Sequence, residues 1–119
     1  LQQPDTVMVM GPFRPELAQL GVIQLEIQSL ESLLRTLKDF QIYDVLVEAG
    51  ATLSSAFLQQ GLVDELISYV APTLLGQSAR AMFNAEFEHL AEQLRFKLID
   101  VSQVGNDVRL RLTPLQESI

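Results

Sequence analysis

The stretch Asp44-Val45-Leu46-Val47-Glu48-Ala49-Gly50-Ala51-Thr52-Leu53 decides the fold. From Ile42 to Val47 the chain is rich in β-branched residues and, from Val45, nearly continuous in apolar character, the pattern of a central strand covered on both faces. It breaks at Glu48-Ala49-Gly50. Ala51 to Gln60 then sets Leu53, Ala56 and Phe57 on one helical face, with Gly61 placed for a left-handed stop. A strand that passes through a short small-residue turn into a helix is the building unit of an α/β domain.

Upstream of this unit, Thr6 to Met10 reads as a short apolar strand stopped by Gly11-Pro12 and again by Pro15. Val22 to Ile27 reads as a second strand. From Ser29 the period changes, and Leu30, Leu33, Leu34, Leu37 and Phe40 form the stripe of an amphipathic helix. Ser29 is its expected N-cap, Glu31 suits the positive end of the helix dipole, and Glu31 to Arg35 is an i,i+4 pair worth about 0.2–0.5 kcal/mol. Downstream, Glu65 to Ala71 reads as a strand closed by Pro72. Thr73 to Asn84 reads as a loop around Gly76, and Phe87 to Gln93 as one helical turn. Phe96 to Val104 and Val108 to Thr113 flank Gly105-Asn106-Asp107 and predict an antiparallel hairpin. Its second strand alternates Val108, Leu110 and Leu112 with Arg109, Arg111 and Thr113, so one face is expected to be buried and the other wet. The order predicts an α/β domain: one mixed, mostly parallel sheet flanked by helices, with a C-terminal antiparallel hairpin.

Composition narrows the class. The chain has 119 residues, 48% of them hydrophobic, with 15 acidic against 8 basic side chains for a net charge of −7, and no cysteine. That is one domain's worth of chain or less, with ample material for a buried core and none of the composition of a disordered protein. Without cysteine there are no disulfides, thiolate metal sites or cysteine nucleophiles, which suits a reducing cytoplasm. The acidic balance argues against nucleic acid, whose phosphates need clustered bases. No apolar run approaches the roughly 20 residues of a membrane span, and no export signal is visible. The chain opens at Leu1 and not at methionine, as a fragment does.

Ligands of open α/β sheets gather at the carboxyl ends of parallel strands, which puts the candidate site at Val47 to Leu53. The first-turn amides of Gly50, Ala51, Thr52 and Leu53 lack intrahelical acceptors and carry the positive end of the helix dipole, an arrangement that suits a phosphate. Thr52, Ser54 and Ser55 can add hydroxyls, and Glu48 offers a carboxylate to a ligand's hydroxyl or amine. The same pattern also fits a plain βα turn with a glycine N-cap and a glutamate facing water.

The quoted stretch does not stand alone. With Ala56-Phe57-Leu58, Gly61-Leu62-Val63-Asp64-Glu65-Leu66, Val70-Ala71-Pro72, Leu74-Leu75-Gly76, Ala79-Arg80 and the closing run Gly105 to Pro114, it resembles the reductase domain of the bifunctional riboflavin-biosynthesis deaminase/reductase. The resemblance implies a dihydrofolate-reductase-like fold, here in part, that uses NADPH to reduce the ribose of a phosphorylated ribosylaminopyrimidine to a ribityl chain. It implies that Glu48 contacts the substrate and that Gly50, Ala51, Thr52, Leu53, Ser54, Ser55 and Ala56 form the loop and helix start that hold the cofactor's phosphates. Ala49 stands where relatives often have glycine, so that residue cannot need a strongly positive φ. Hydride chemistry belongs to the cofactor, and no catalytic base is assigned. The resemblance further implies a cytoplasmic enzyme that is a homodimer at full length, with the hairpin and the Glu65 to Ala71 strand as interface candidates. Residues 1–119 then correspond to the C-terminal portion of one reductase domain, without its first part and without the deaminase domain, and are expected to be inactive alone. The competing possibility is a non-catalytic ligand-binding or dimerisation module with the same half-fold.

Other residues carry plainer expectations. His89, the one histidine, is expected at the surface and not on a metal. Arg80 is expected in a salt bridge or a solvated loop, Arg109 and Arg111 as charges protecting an edge strand, and Met8, Met10 and Met82 as core filling. With half a fold, strands such as Val7 to Val9 and Val45 to Val47 are expected to lack cover.

Overall fold

The computed structural model describes residues 8–115, so Thr6 and Val7 lie outside the described residues. The chain forms two compact units, one ending at Val45 and one beginning at Leu46.

In the first unit, β1 (Met8–Met10) pairs in parallel with β2 (Ile23–Leu25), Met8 opposite Ile23. Between them lies α1 (Pro15–Gln19), which begins at the second of the prolines that end the first strand. Proline breaks a helix interior, but at the first helical position its fixed φ and missing N–H cost nothing, and it holds Arg14 extended at φ −125°. The Gln24 side chain then ties β2 to the entry of α1. Its Oε1 accepts from the Arg14 N–H at 2.6 Å, and its Nε2 donates to the Arg14 carbonyl at 2.9 Å.

Next comes α2 (Leu30–Asp39). Ser29 caps it as expected: Ser29 Oγ accepts from the Ser32 N–H at 3.1 Å, and Ser32 Oγ accepts in return from the Ser29 N–H at 3.2 Å. Arg35 reaches Glu31 at 2.6 Å. The leucines of the predicted stripe are half-buried.

The expected strand Ile42–Val47 does not form. Residues 42–50 have no regular secondary structure, and Tyr43 and Leu46 are 72% and 77% exposed. Apolar content gives a segment the means to be a covered strand, but a strand exists only where a neighbour completes its ladder, and among the described residues none pairs with this one. The expectation of a single sheet falls with it, since the described strands form two.

The second unit opens with α3 (Ala51–Gln59) and continues into a three-stranded antiparallel sheet of β3 (Leu66–Val70), β4 (Phe96–Val104) and β5 (Asp107–Pro114), in the order β3-β5-β4. A 3-10 turn at Leu90–Glu92 falls inside the predicted helical turn. The hairpin matches the sequence pattern: Val104 pairs with Asp107 across Gly105-Asn106, with glycine taking the positive φ of +61°.

Because β5 is the middle strand, Arg109 and Arg111 are not edge protectors. Arg111 holds Glu65 through two bonds, Nε to Oε1 at 2.7 Å and Nη2 to Oε2 at 3.0 Å, and Arg109 approaches Asp100 at 3.3 Å. A bulge between Leu98 and Asp100 makes the second contact possible. Leu98 sits opposite Leu112 but Asp100 opposite Arg111, so the extra residue brings the aspartate onto the arginine face while Leu98 and Val101 stay on the apolar one.

That apolar face is only partly covered: Leu110 and Leu112 are half-buried, whereas Leu98 and Val101 are more than half exposed. Met82, expected in a core, is 63% exposed. Phe57 is the only apolar side chain recorded as buried among the described residues, so the core expected from composition is not assembled within them. His89 is exposed, as expected.

Candidate functional site

The first turn of α3 is where the predicted site residues meet. Gly50 is its N-cap, extended at φ −72°, and no side chain caps the helix. The first intrahelical bond runs from the Ser54 N–H to the Gly50 carbonyl at 3.1 Å, which leaves the amides of Ala51, Thr52 and Leu53 without acceptors inside the helix. No acidic residue lies in that turn to offset the dipole, and Thr52 and Leu53 are exposed. The chain itself does not explain the glycine: its φ is ordinary, and a Cβ built there meets nothing within 4 Å. The space that a side chain at Gly50 would take is open.

The three hydroxyls differ in what holds them. Ser54 Oγ donates back to the Ala49 carbonyl at 3.3 Å and ties the turn together. Ser55 is 2% exposed, and its Oγ accepts the Asn84 main-chain N–H at 2.9 Å. Thr52 Oγ1 accepts from Asn84 Nδ2 at 3.1 Å while its side chain stays exposed. Asn84 is the residue that sequence reading missed at this turn, since nothing local marks a loop asparagine as the partner of a helix about thirty positions away. Glu48 is exposed, two residues before the N-cap. Among the described residues no group of three or more His, Asp or Glu side chains is placed to hold a metal.

Away from the turn, ionic pairing shapes the sheet. The Arg111 guanidinium holds the Glu65 carboxyl below the usual carboxylate range, and Glu65 raises Arg111 in return.

A family model described as the RibD C-terminal domain matches residues 5–110. The chain belongs to that family. Its reductase-domain character was legible in the blocks around Glu48 and Gly50. The chain is 51% identical over 73 residues to the riboflavin biosynthesis protein RibD of Escherichia coli strain K12, covering 60% of this chain and 20% of that protein. It is 42% identical over 84 residues to a protein of Buchnera aphidicola subsp. Acyrthosiphon pisum named 5-amino-6-(5-phosphoribosylamino)uracil reductase, covering 70% of this chain and 41% of that protein. Among solved structures, Acinetobacter baumannii RibD is 76% identical with a TM-score of 0.90, over 96% of this chain and 32% of that one. The deaminase/reductase of Thermotoga maritima, at 21% identity and a TM-score of 0.75, shares the fold. The chain thus spans between a fifth and about two fifths of the length of these relatives. None of the described helices is long and apolar enough to cross a membrane.

Proposed function

We propose that this chain is the C-terminal portion of an NADPH-dependent 5-amino-6-(5-phosphoribosylamino)uracil reductase of riboflavin biosynthesis, working in the cytoplasm. The observation that carries the reading is the open first turn of α3, uncapped, free of acid and fronted by a glycine that the fold itself does not require. In a family with named reductases, such a turn suits the phosphates of a pyridine nucleotide. NADPH, when bound, supplies the hydride.

The chain's own residues bind and orient. Gly50 admits the phosphates to the amides of Ala51, Thr52 and Leu53. Thr52 adds a hydroxyl, Ser54, Ser55 and Ala56 continue the helix start, and the Glu48 carboxylate accepts a hydrogen bond from the substrate. The uncovered apolar side chains of Val45, Leu46 and Val47 fit a strand that belongs in a larger sheet, and the part-length match to relatives fits a portion of a domain. Homodimerisation through β3 and the hairpin belongs to the same proposal.

Titration of NADPH followed by its fluorescence tests the reading. Tight binding lost in Gly50→Val and kept in Glu48→Ala supports a cofactor turn beside a substrate carboxylate. No binding in any variant of the natural-length protein favours the non-catalytic module. The 119 residues alone are expected not to oxidise NADPH in the presence of the pyrimidine, and measurable oxidation overturns that part.

A further inference from the structure

Two hydroxyls of α3's first turns are gripped by one residue from elsewhere in the chain. Asn84 Nδ2 donates to Thr52 Oγ1 at 3.1 Å, and the Asn84 main-chain N–H donates to Ser55 Oγ at 2.9 Å. Thr52 and Ser55 stand three positions apart, on one side of the helix. The segment that presents Asn84 is itself held. Ser68 Oγ on β3 lies 3.9 Å from Met82 Sδ, and the Phe83 and Phe87 rings stack with centroids 6.1 Å apart. A path of contacts therefore runs from the sheet through Met82–Phe87 to the helix start.

The direction of these bonds matters chemically. A hydroxyl has one proton to give, and when an N–H donor occupies its oxygen that proton is turned to another acceptor. The Thr52 side chain is exposed beside the free amides, so its O–H joins them as a further donor, which is what a phosphate oxygen requires. We infer that Asn84 is a positioning residue of the cofactor-phosphate turn: it fixes the Thr52 hydroxyl as a donor and sets the first turns of α3, without touching the phosphate itself. The inference rests on the reading of Gly50 to Ala56 as that turn.

NADPH titrations of the natural-length protein test it. Asn84→Ala is expected to weaken NADPH about fivefold, the worth of one hydrogen bond. Asn84→Asp keeps the shape, so it carries the test even if the alanine variant folds poorly. Its carboxylate cannot donate, draws the Thr52 proton toward itself and brings negative charge near the phosphate, so it is expected to bind more weakly than Asn84→Ala at an equal thermal midpoint. Binding that follows the thermal midpoint, with the two variants alike, means a merely structural role and overturns the inference. Thr52→Val combined with Asn84→Ala is expected to bind no more weakly than the worse single variant, and additive losses overturn the inference. Gly50→Val separates the two levels. If it binds NADPH undiminished, the phosphate reading itself fails. If it loses binding while Asn84→Ala keeps it, that reading stands and the role given to Asn84 is wrong.

Discussion

Helices α2 and α3 are of similar length and are finished in opposite ways. α2 begins closed: Ser29 and Ser32 exchange hydrogen bonds, and Glu31 meets the dipole and pairs with Arg35. α3 begins open, with no side-chain cap and no acid. At the other end the order inverts. Both helices stop in the same two-bond motif, Gln41 to Lys38 and Ile42 to Leu37 in one, Gly61 to Leu58 and Leu62 to Phe57 in the other. In α3 the left-handed residue is glycine at φ +66°, whereas in α2 it is glutamine at +62°. A helix whose start completes itself is scaffold, whereas the start of α3 leaves first-turn donors that the helix itself does not use.

The largest effect is expected from giving α3 the acid that α2 has. Leu53→Glu places a carboxylate in the first turn at an exposed position, which should strengthen the helix by a few tenths of a kcal/mol and weaken NADPH about tenfold. Equal NADPH affinity by fluorescence titration would mean that the open end is not used. Next in size, Ser29→Ala should cost about 1 kcal/mol by denaturant unfolding and leave NADPH affinity unchanged, since α2 caps only itself. Gln41→Gly should stabilise by about 0.5 kcal/mol, the relief of a left-handed non-glycine residue less the freedom glycine gains when unfolded. A loss of stability there would mean that the Gln41 side chain makes its own contribution.

The smallest effect is one of pH, and it falls on α3's unit through Glu65. The folded carboxyl is held below its ordinary value of 4.5, so its pairing with Arg111 contributes in full above that value and fades as pH falls through the lowered one. Glu65 and Arg111 are solvated, so the loss is slight. Comparing acid unfolding of Glu65→Gln with the unsubstituted protein checks the sign: the two should differ near neutrality and converge in acid.

What the residues alone could tell follows the range of the interactions. Ser29, Arg35, Gly61 and the hairpin around Gly105 act within a few positions, and all were legible. Pro15 stops the strand before it and also starts α1, and nothing local to a proline announces the second role. The Ile42–Val47 strand does not form among the described residues because apolar content is local and pairing is not. At the site, the turn from Glu48 to Ala56 was legible as small residues before a helix. Asn84 was not, because its bonds to Thr52 and Ser55 close a long loop that leaves no periodic trace. The partners of Arg109 and Arg111 were hidden for the same reason.

The bulge in β4 has a consequence for how the protein can change length. Strand side chains have a parity, and the extra residue between Leu98 and Asp100 is the single point where β4 resets it against β5. Deleting Ile99 would remove the extra residue itself, leaving Leu98, Asp100 and Val101 in unbroken alternation opposite Leu112, Arg111 and Leu110 and on the faces they now hold. A single deletion elsewhere in β4, at Ser102 for example, has no such slack and would exchange the faces of the residues between it and the nearest point that can absorb the change. Single length changes in this hairpin should therefore be tolerated at Ile99 or at the Gly105-Asn106 tip and rejected elsewhere along β4.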